Sequence, residues 1–255
     1  MRKSPDYALR SLERGIDLLY CLADHPSLSV EALSRKLKSP KSTVYRSLGI
    51  LRARHLVARD ADSARYRLGL GILRVQRALV ENLPVRAAAL SVMRDLAARS
   101  EESVSLILRQ GEFGVSVEVI ESSERVRVAP RQGESVPLHA GAPMKAILAF
   151  LPDEEVRHYL RRRLERFTPR TLGDPRRLRA DLALIRARGY AESWEELYLG
   201  AVGVAAPILD SDGHAIASLA VSAPVLRMTP GRVPALGEMV MAACKDVRRR
   251  LHLAR

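Results

Sequence analysis

The sequence predicts an α+β fold in two parts, a winged helix-turn-helix followed by an antiparallel sheet with helices packed on it. Three observations predict this. Three amphipathic stretches and a hairpin-like segment fall between residues 11 and 68. Strand-like alternation and helical spacing are then mixed along the rest of the chain, the order expected of one sheet carrying helices. The charge is also split unevenly: residues 1–83 carry 16 Lys/Arg against 8 Asp/Glu, whereas the rest of the chain carries 26 against 21.

The elements follow in order. Ser11 to Asp24 places Leu12, Ile16, Leu19 and Ala23 on one helical stripe, with Leu18 and Leu22 beside it, and His25-Pro26 ends it. Ser29 suits the cap of a second helix, whose Leu33 and Leu37 face inward. Ser39 suits the cap of a third and Pro40 its first position; Val44, Leu48 and Leu51 form its narrow buried face. Leu56 to Leu68 reads as two short strands around a polar Asp/Ser turn. Leu70 to Asn82 is helical, with Ile72, Leu73, Val75 and Leu79 apolar, and Pro84 separates it from a further helix, Val85 to Arg99. Strands are expected at Val104–Leu108 and Val115–Ile120 around Gly111-Glu112-Phe113-Gly114, and at Val202–Leu209 and Ala215–Val221 around Asp210-Ser211-Asp212-Gly213. Helices are expected at Ala142–Phe150, Asp153–Arg163, Pro175–Arg188 and Val233–Leu251. The implied divisions are 1–69 for the winged helix-turn-helix, 70–83 for a linker helix and 84–255 for the second domain.

Composition limits the function classes. Apolar residues make up 47% of the 255 and aromatics only 4%, so a real but aliphatic core is expected. A formal charge of +13 and a pI near 10.4 point to a polyanionic partner, nucleic acid or an anionic membrane surface. No apolar run approaches the ~18 residues of a membrane span, and Met1-Arg2-Lys3-Ser4-Pro5 is not followed by a signal-like apolar stretch. Cys21 and Cys244, far apart in apolar helical patterns, read as reduced thiols of a cytoplasmic protein. The six histidines form no metal-spaced cluster, and neither a nucleophile elbow nor a phosphate or dinucleotide loop is present. No cofactor, metal or catalytic residue is therefore expected. The one catalytic alternative in the sequence pairs His139 with Glu134; the other reading of His139 is a turn residue.

Lys41, Ser42, Thr43, Tyr45 and Arg46 lie off the buried stripe of the third helix, free to enter a major groove, with Ser39 at its start. The alternative is a solvated helix face. Arg65 and Arg67 flank Tyr66 on the second hairpin strand, placed for phosphate or minor-groove contact, and Arg14 is a candidate for phosphate contact in the first helix. Eleven arginines between Arg157 and Arg188 fit solvated helix faces, with contact to an acidic partner as the other reading.

Several segments, in register, resemble the isocitrate lyase regulator (IclR) family. Ser11-Leu12-Glu13-Arg14-Gly15-Ile16-Asp17-Leu18-Leu19 is similar to its opening helix. Pro40 to Arg46 is similar to its recognition helix, and Arg65-Tyr66-Arg67-Leu68-Gly69 to the end of its wing. Val136 to Ala142 with Lys145-Ala146, Gly203 to Ile208 and Leu219 to Ser222 resemble its effector-site segments. The resemblance implies a GAF-like effector domain, a homodimer or homotetramer, and double-stranded operator DNA as partner. It also implies an effector site that includes Gly141, Ala142, Gly203 and Ser222. Small residues before a helix expose N–H groups suited to a carboxylate, so a small organic or aromatic acid is the expected effector. Met144, Trp194 and Val204 would supply apolar walls, and Glu192-Ser193-Trp194-Glu195-Glu196 would close the pocket. Met144 departs from the family, which usually has Gly there. The competing functional reading is a hydrolase or transferase domain fused to a nucleic-acid-targeting module.

Overall fold

The computed structural model describes residues 10–253, which divide into two compact units, one ending at Leu83 and one beginning at Pro84. Among the described residues no helix is long and apolar enough to cross a membrane.

The first unit holds α1 (Arg10–Asp24), α2 (Val30–Lys36), α3 (Lys41–Ala53), β1 (Val57–Arg59), β2 (Tyr66–Leu68) and α4 (Gly71–Glu81). Leu18, Leu22, Leu33, Val44, Leu48, Val57 and Tyr66 form its core. In α1 the buried face is the neighbouring stripe to the one expected: Leu18 and Leu22 are inside, whereas Leu12 and Ile16 are 60% and 45% exposed. Both stripes are apolar in sequence, and packing of the short helices on one another selects the second. Ser29 caps α2, its hydroxyl accepting from the Ala32 N–H, an interaction worth about 1 kcal/mol. The cap of α3 is Pro40 rather than Ser39, so the helix begins one residue later than expected. β1 and β2 pair antiparallel, and Leu28 bridges to Tyr66, which adds a third short strand to the hairpin. Asp60 closes the turn by accepting from the Ser63 N–H and hydroxyl. Gly69 follows where a Cβ would lie 2.2 Å from the His55 carbonyl, so only glycine lets the chain pass the end of α3.

The second unit contains α5 (Pro84–Ser100), β3 (Ser103–Gln110), β4 (Phe113–Ile120), β5 (Ser135–Pro137), α6 (Ala142–Ala149), α7 (Asp153–Tyr159), α8 (Pro175–Arg188), β6 (Ala191–Trp194), β7 (Ala201–Leu209), β8 (Ala215–Pro224) and α9 (Arg232–Leu253). The six strands make one antiparallel sheet in the order β5-β4-β3-β8-β7-β6. Two strands escape the sequence pattern: β5, three residues long, and β6, in the segment expected to close a pocket. Both lie at sheet edges, where short strands lack a readable alternation. α7 ends at Tyr159, four residues short of the expectation.

The strand period of two gives the sheet two buried faces. Val104, Leu106, Val204, Leu219 and Val221 meet Met93 and Leu96 of α5 and Val240 and Val247 of α9. Ile107, Ala205 and Ala220 meet Ala146 and Ile147 of α6, together with Val156 of α7 and Leu178 and Leu182 of α8. Cys244 is buried and its thiol pushed up to about 12 by burial, while Cys21 is partly buried; both are free. At the β7–β8 turn Asp210, Asp212 and His214 come together, although no cluster shows in the histidine spacing. The Asp210 carboxylate there already accepts the Asp212 and His214 N–H groups that close the turn.

Candidate DNA interface and candidate effector cavity

In the first unit α3 presents Lys41, Ser42, Tyr45 and Arg46 to solvent, with Thr43 half-buried and Val44 and Leu48 inside. This is the division that a 3.6-residue period produces when one narrow stripe is anchored. Lys41 is paired with Glu31 of α2 at 3.4 Å, an exposed contact that a phosphate can displace. Arg14 and Ser39 line one groove between α1 and the start of α3, with the Ser39 hydroxyl buried and unpartnered. On β2, Tyr66 points into the core, so Arg65 and Arg67 project outward; Arg65 reaches the Ser27 carbonyl at 3.4 Å. Arg59, absent from the sequence expectations, lies 6.0 Å over the Tyr66 ring on the same hairpin.

The second unit holds a cavity of about 60 Å³ between the sheet, the start of α6 and the segments 128–136 and 197–203. Gly141, Ala142, Met144, Gly203 and Ser222 line it, as do Ile107, Ser116, Glu134, Val136, Ser193, Leu197 and Tyr198. Gly141 has φ +86°, a conformation that glycine adopts without strain, and it turns the chain from β5 into α6. Gly203 faces the start of α6, where a Cβ would stand in ordinary contact, 3.4 Å, with the Ala142 methyl. Met144 packs against Gly114, where a Cβ would stand 2.8 Å from the Ile107 Cγ2 and 3.3 Å from the Met144 Cγ. The large residue at this position is thus matched by a missing side chain on β4.

Two expected wall residues, Val204 and Trp194, and Glu192 of the expected closing segment lie elsewhere. Val204 is one residue out of phase with Gly203 and is buried against α5 and α9 on the opposite face of the sheet. Trp194 packs on that same face, with its Nε1 donating to Glu192 at 3.3 Å. The Glu192 carboxylate is held by Arg188 at 2.6 Å. The residue of β6 that reaches the cavity is Ser193.

Behind the cavity wall sits a charged group built on Lys145, which the family resemblance includes in the effector-site helix without giving it a role. Lys145 is 1% exposed, and its ammonium donates to Glu196 Oε1 at 2.6 Å, Asp181 Oδ2 at 2.8 Å and the Glu192 carbonyl at 3.0 Å. All three of its donors are used. Glu196 Oε2 accepts the Gly141 N–H at 3.4 Å, so the first donor at the α6 start is engaged from within the protein. Burial raises the Glu196 carboxyl above its ordinary range, against the lowering pull of Lys145. The Thr168 hydroxyl donates to the Glu195 carbonyl and the Thr171 hydroxyl to the Glu196 carbonyl, each at 2.6 Å, which fixes the chain on which Leu197 and Tyr198 reach the cavity.

His139 does not meet Glu134. Its Nε2 donates to the Glu165 carbonyl at 2.8 Å, which leaves Nδ1 to accept from the Tyr159 hydroxyl at 2.9 Å. Burial holds the imidazole below its ordinary pKa and pushes Tyr159 up to about 12. Both ring nitrogens are spent inside the core, so the histidine is a packing residue. Glu134 instead accepts from the Tyr198 hydroxyl across the cavity mouth.

Comparison with known proteins agrees with this architecture. Residues 11–61 match the family model of the IclR helix-turn-helix domain, and residues 77–249 match that of the bacterial transcriptional regulator IclR C-terminal domain. The chain is 35% identical over 240 residues to the HTH-type transcriptional repressor AllR of Escherichia coli K12, covering 93% of this chain and 89% of that one. The IclR crystal structure from Thermotoga maritima aligns with a TM-score of 0.80 at 28% identity, over 95% of this chain and 99% of that one. An IclR homologue from Microbacterium hydrocarbonoxydans, solved with 4-hydroxybenzoate, shares the fold with a TM-score of 0.81 at 24% identity, over 95% and 99% of the two chains. With a helix-turn-helix whose recognition face is exposed, a sheet domain built around a cavity, and both halves matched in order, the chain belongs to the IclR family and is a DNA-binding transcriptional regulator.

Proposed function

We propose that this regulator is ligand-gated. A small organic acid bound in the cavity of the second unit changes the affinity of the first unit for operator DNA. The cavity carries the reading: its walls are largely apolar, and α6 begins in them. The N–H groups of a first helical turn have no partner within the helix, and the helix dipole favours an anion there. Glu196 takes the Gly141 donor and Pro143 has none, so Ala142 and Met144 carry the remaining free donors, with the Ser193 and Ser222 hydroxyls lining the same space. The ligand acts by binding the DNA-competent and incompetent arrangements with different affinity. DNA is read by Lys41, Ser42, Thr43, Tyr45 and Arg46 of α3, supported by Arg14, Ser39, Arg65 and Arg67.

The protein works as a pair or a pair of pairs. One winged helix makes too few contacts for operator-level specificity, and two half-sites call for two copies. Gly141→Leu tests the cavity. It replaces a residue at φ +86° and fills the space at the α6 start. Operator binding is expected to survive while release by cellular acids is lost; a variant that still responds to them places the effector elsewhere.

A further inference from the structure

The arginines of α7, of the first half of α8 and of the loop between them are mostly unused inside the fold. Nine lie between residues 157 and 179, where Glu165 and Asp174 are the only acidic residues. Arg162 pairs with Glu112 and Arg170 with Glu195 at 3.1 Å, and Arg157 lies near the Asp153 carboxylate that Arg186 holds at 2.8 Å. The other six, Arg161, Arg163, Arg166, Arg176, Arg177 and Arg179, are exposed and make no side-chain hydrogen bond or ion pair among the described residues. Asp174 is already engaged, accepting the Arg176 N–H at 2.7 Å.

The backbone that carries these charges is fixed. The Phe167 and Thr168 N–H groups donate to the Thr171 hydroxyl at 3.0 and 2.9 Å, and the two threonines tie the loop to the chain after β6. Arg166 lies across Gly173, where a Cβ would stand 2.6 Å from its Nε. The charges flank α8 on both sides. Arg166 and Arg177 line the cleft towards β6, whereas Arg179 lines the groove between α7 and α8. The carboxylates in the first cleft have partners within the protein: Asp181 and Glu196 hold Lys145, and Glu192 holds Arg188.

A protein partner would need apolar or aromatic anchors at the centre of its interface. Here Tyr159, Leu160, Leu164 and Leu178 are buried, and Phe167, 39% exposed, packs on the His139 ring. A duplex needs no such anchor, because interfaces with DNA are polar and strongly positive, and each phosphate met by an arginine releases a counterion. Guanidinium groups also match phosphate oxygens in pairs. The first unit brings a duplex to this chain, which raises its effective concentration for any second contact. We propose that the arginine surface of α7, α8 and their connecting loop holds backbone phosphates of double-stranded DNA. The second unit then adds a sequence-independent share to binding, whether or not the cavity is occupied.

The test is the salt dependence of binding, by fluorescence anisotropy, of the full-length protein to a mixed-sequence duplex of about 60 bp at about 50 to 200 mM salt. Arg163→Gln/Arg176→Gln/Arg179→Gln is expected to lower the slope by at least about 1, the value of one phosphate contact. Arg94→Gln/Arg99→Gln/Arg125→Gln is the control, since it removes the same charge from exposed arginines elsewhere on the second unit and is expected to leave the slope nearly unchanged. Replacing Arg163, Arg176 and Arg179 by Lys keeps the charge and is expected to keep the slope, which separates lost charge from lost folding. Melting of the Gln variant is expected to match wild type, because none of its three arginines has a partner to lose. A fall smaller than about 1, an equal fall in the control, or the same fall in the Lys variant overturns the proposal. So does an unchanged DNA slope with lost binding to phosphatidylserine vesicles, which would make the surface a lipid contact.

Discussion

Replacing Lys145 by Met tests whether the buried ion group behind the cavity is a structural keystone. Met has nearly the length of Lys and fills its space, so the cost is electrostatic. Three hydrogen bonds are lost, two of them to carboxylates, at 2.6 and 2.8 Å. The two carboxylates then fare differently. Asp181, with 23% of its side chain exposed, regains water; Glu196, at 9%, does not. Removing one partner of a buried pair costs roughly 3–5 kcal/mol, and the relief at Asp181 places the expected loss near the lower end, about 3 kcal/mol. For a unit of this size that is a fall of about 6–12 °C in Tm. The loss depends on pH with a definite sign. The Glu196 pKa is already raised in the folded state, so this group favours folding at low pH and its contribution is lost as pH rises through its folded pKa. Without Lys145 that pKa rises further, so the variant is penalised more at pH 8 than at pH 5. Thermal unfolding of wild type, Lys145→Met and Lys145→Met/Glu196→Gln across that range gives the answer. The double variant is expected to recover part of the loss at pH 8, since no buried charge is stranded. A single variant within about 1 kcal/mol of wild type, or one whose deficit is the same at both pH values, would refute the reasoning.

Two further predictions concern DNA binding and assembly. Arg46→Ala is expected to weaken operator binding by about 1–3 kcal/mol and to relax sequence preference at one position, whereas Lys41→Ala weakens binding to all sequences and lowers the salt slope by about one; fluorescence anisotropy at several salt concentrations separates the two, and equal effects on operator and random DNA by both variants would remove base reading from Arg46. Leu73, Val75 and Leu79 of α4 are 58%, 63% and 62% exposed, and no residue of α4 is buried within one chain, so Leu73→Asp/Leu79→Asp is expected to weaken pairing. Light scattering at micromolar concentration checks this, and a monomeric wild type would count against pairing altogether.

Much of the fold is legible because its elements are long enough for a period to show. The β7–β8 hairpin, α8 and α9 each span two or more repeats of their pattern, and the N-terminal helices are punctuated by Ser29, Pro26 and Pro40. Legibility fails where two faces carry the same residue types. In α1, Leu12 and Ile16 compete with Leu18 and Leu22, and nothing local decides which pair goes inside; the choice is made by α3, about thirty residues on. Three-residue β5 and four-residue β6 have no period to read, and both acquire their strand character from a neighbour already in the sheet.

The candidate site divides along the same physical line. Gly141, Ala142, Gly203 and Ser222 reach the cavity, and Gly141, at φ +86°, marks a turn that glycine makes without strain, a constraint that leaves a trace in sequence. Val204 fails because alternation says that neighbours face opposite ways but not which of them faces in; one residue of phase moves the side chain through the sheet. Trp194 fails with it, since β6 takes its phase from β7 by the pairing of Trp194 with Val202. Ser116 shows the deepest reason. A serine inside an apolar strand pattern reads as an exposed position, and nothing along the chain distinguishes a hydroxyl facing water from one buried in the fold. Only the packing of β4 in the folded sheet leaves this hydroxyl buried and without a partner. Burial of charge follows the same rule at Lys145, whose three acceptors come from α8, β6 and the loop after it, so its role exists only once those elements have met.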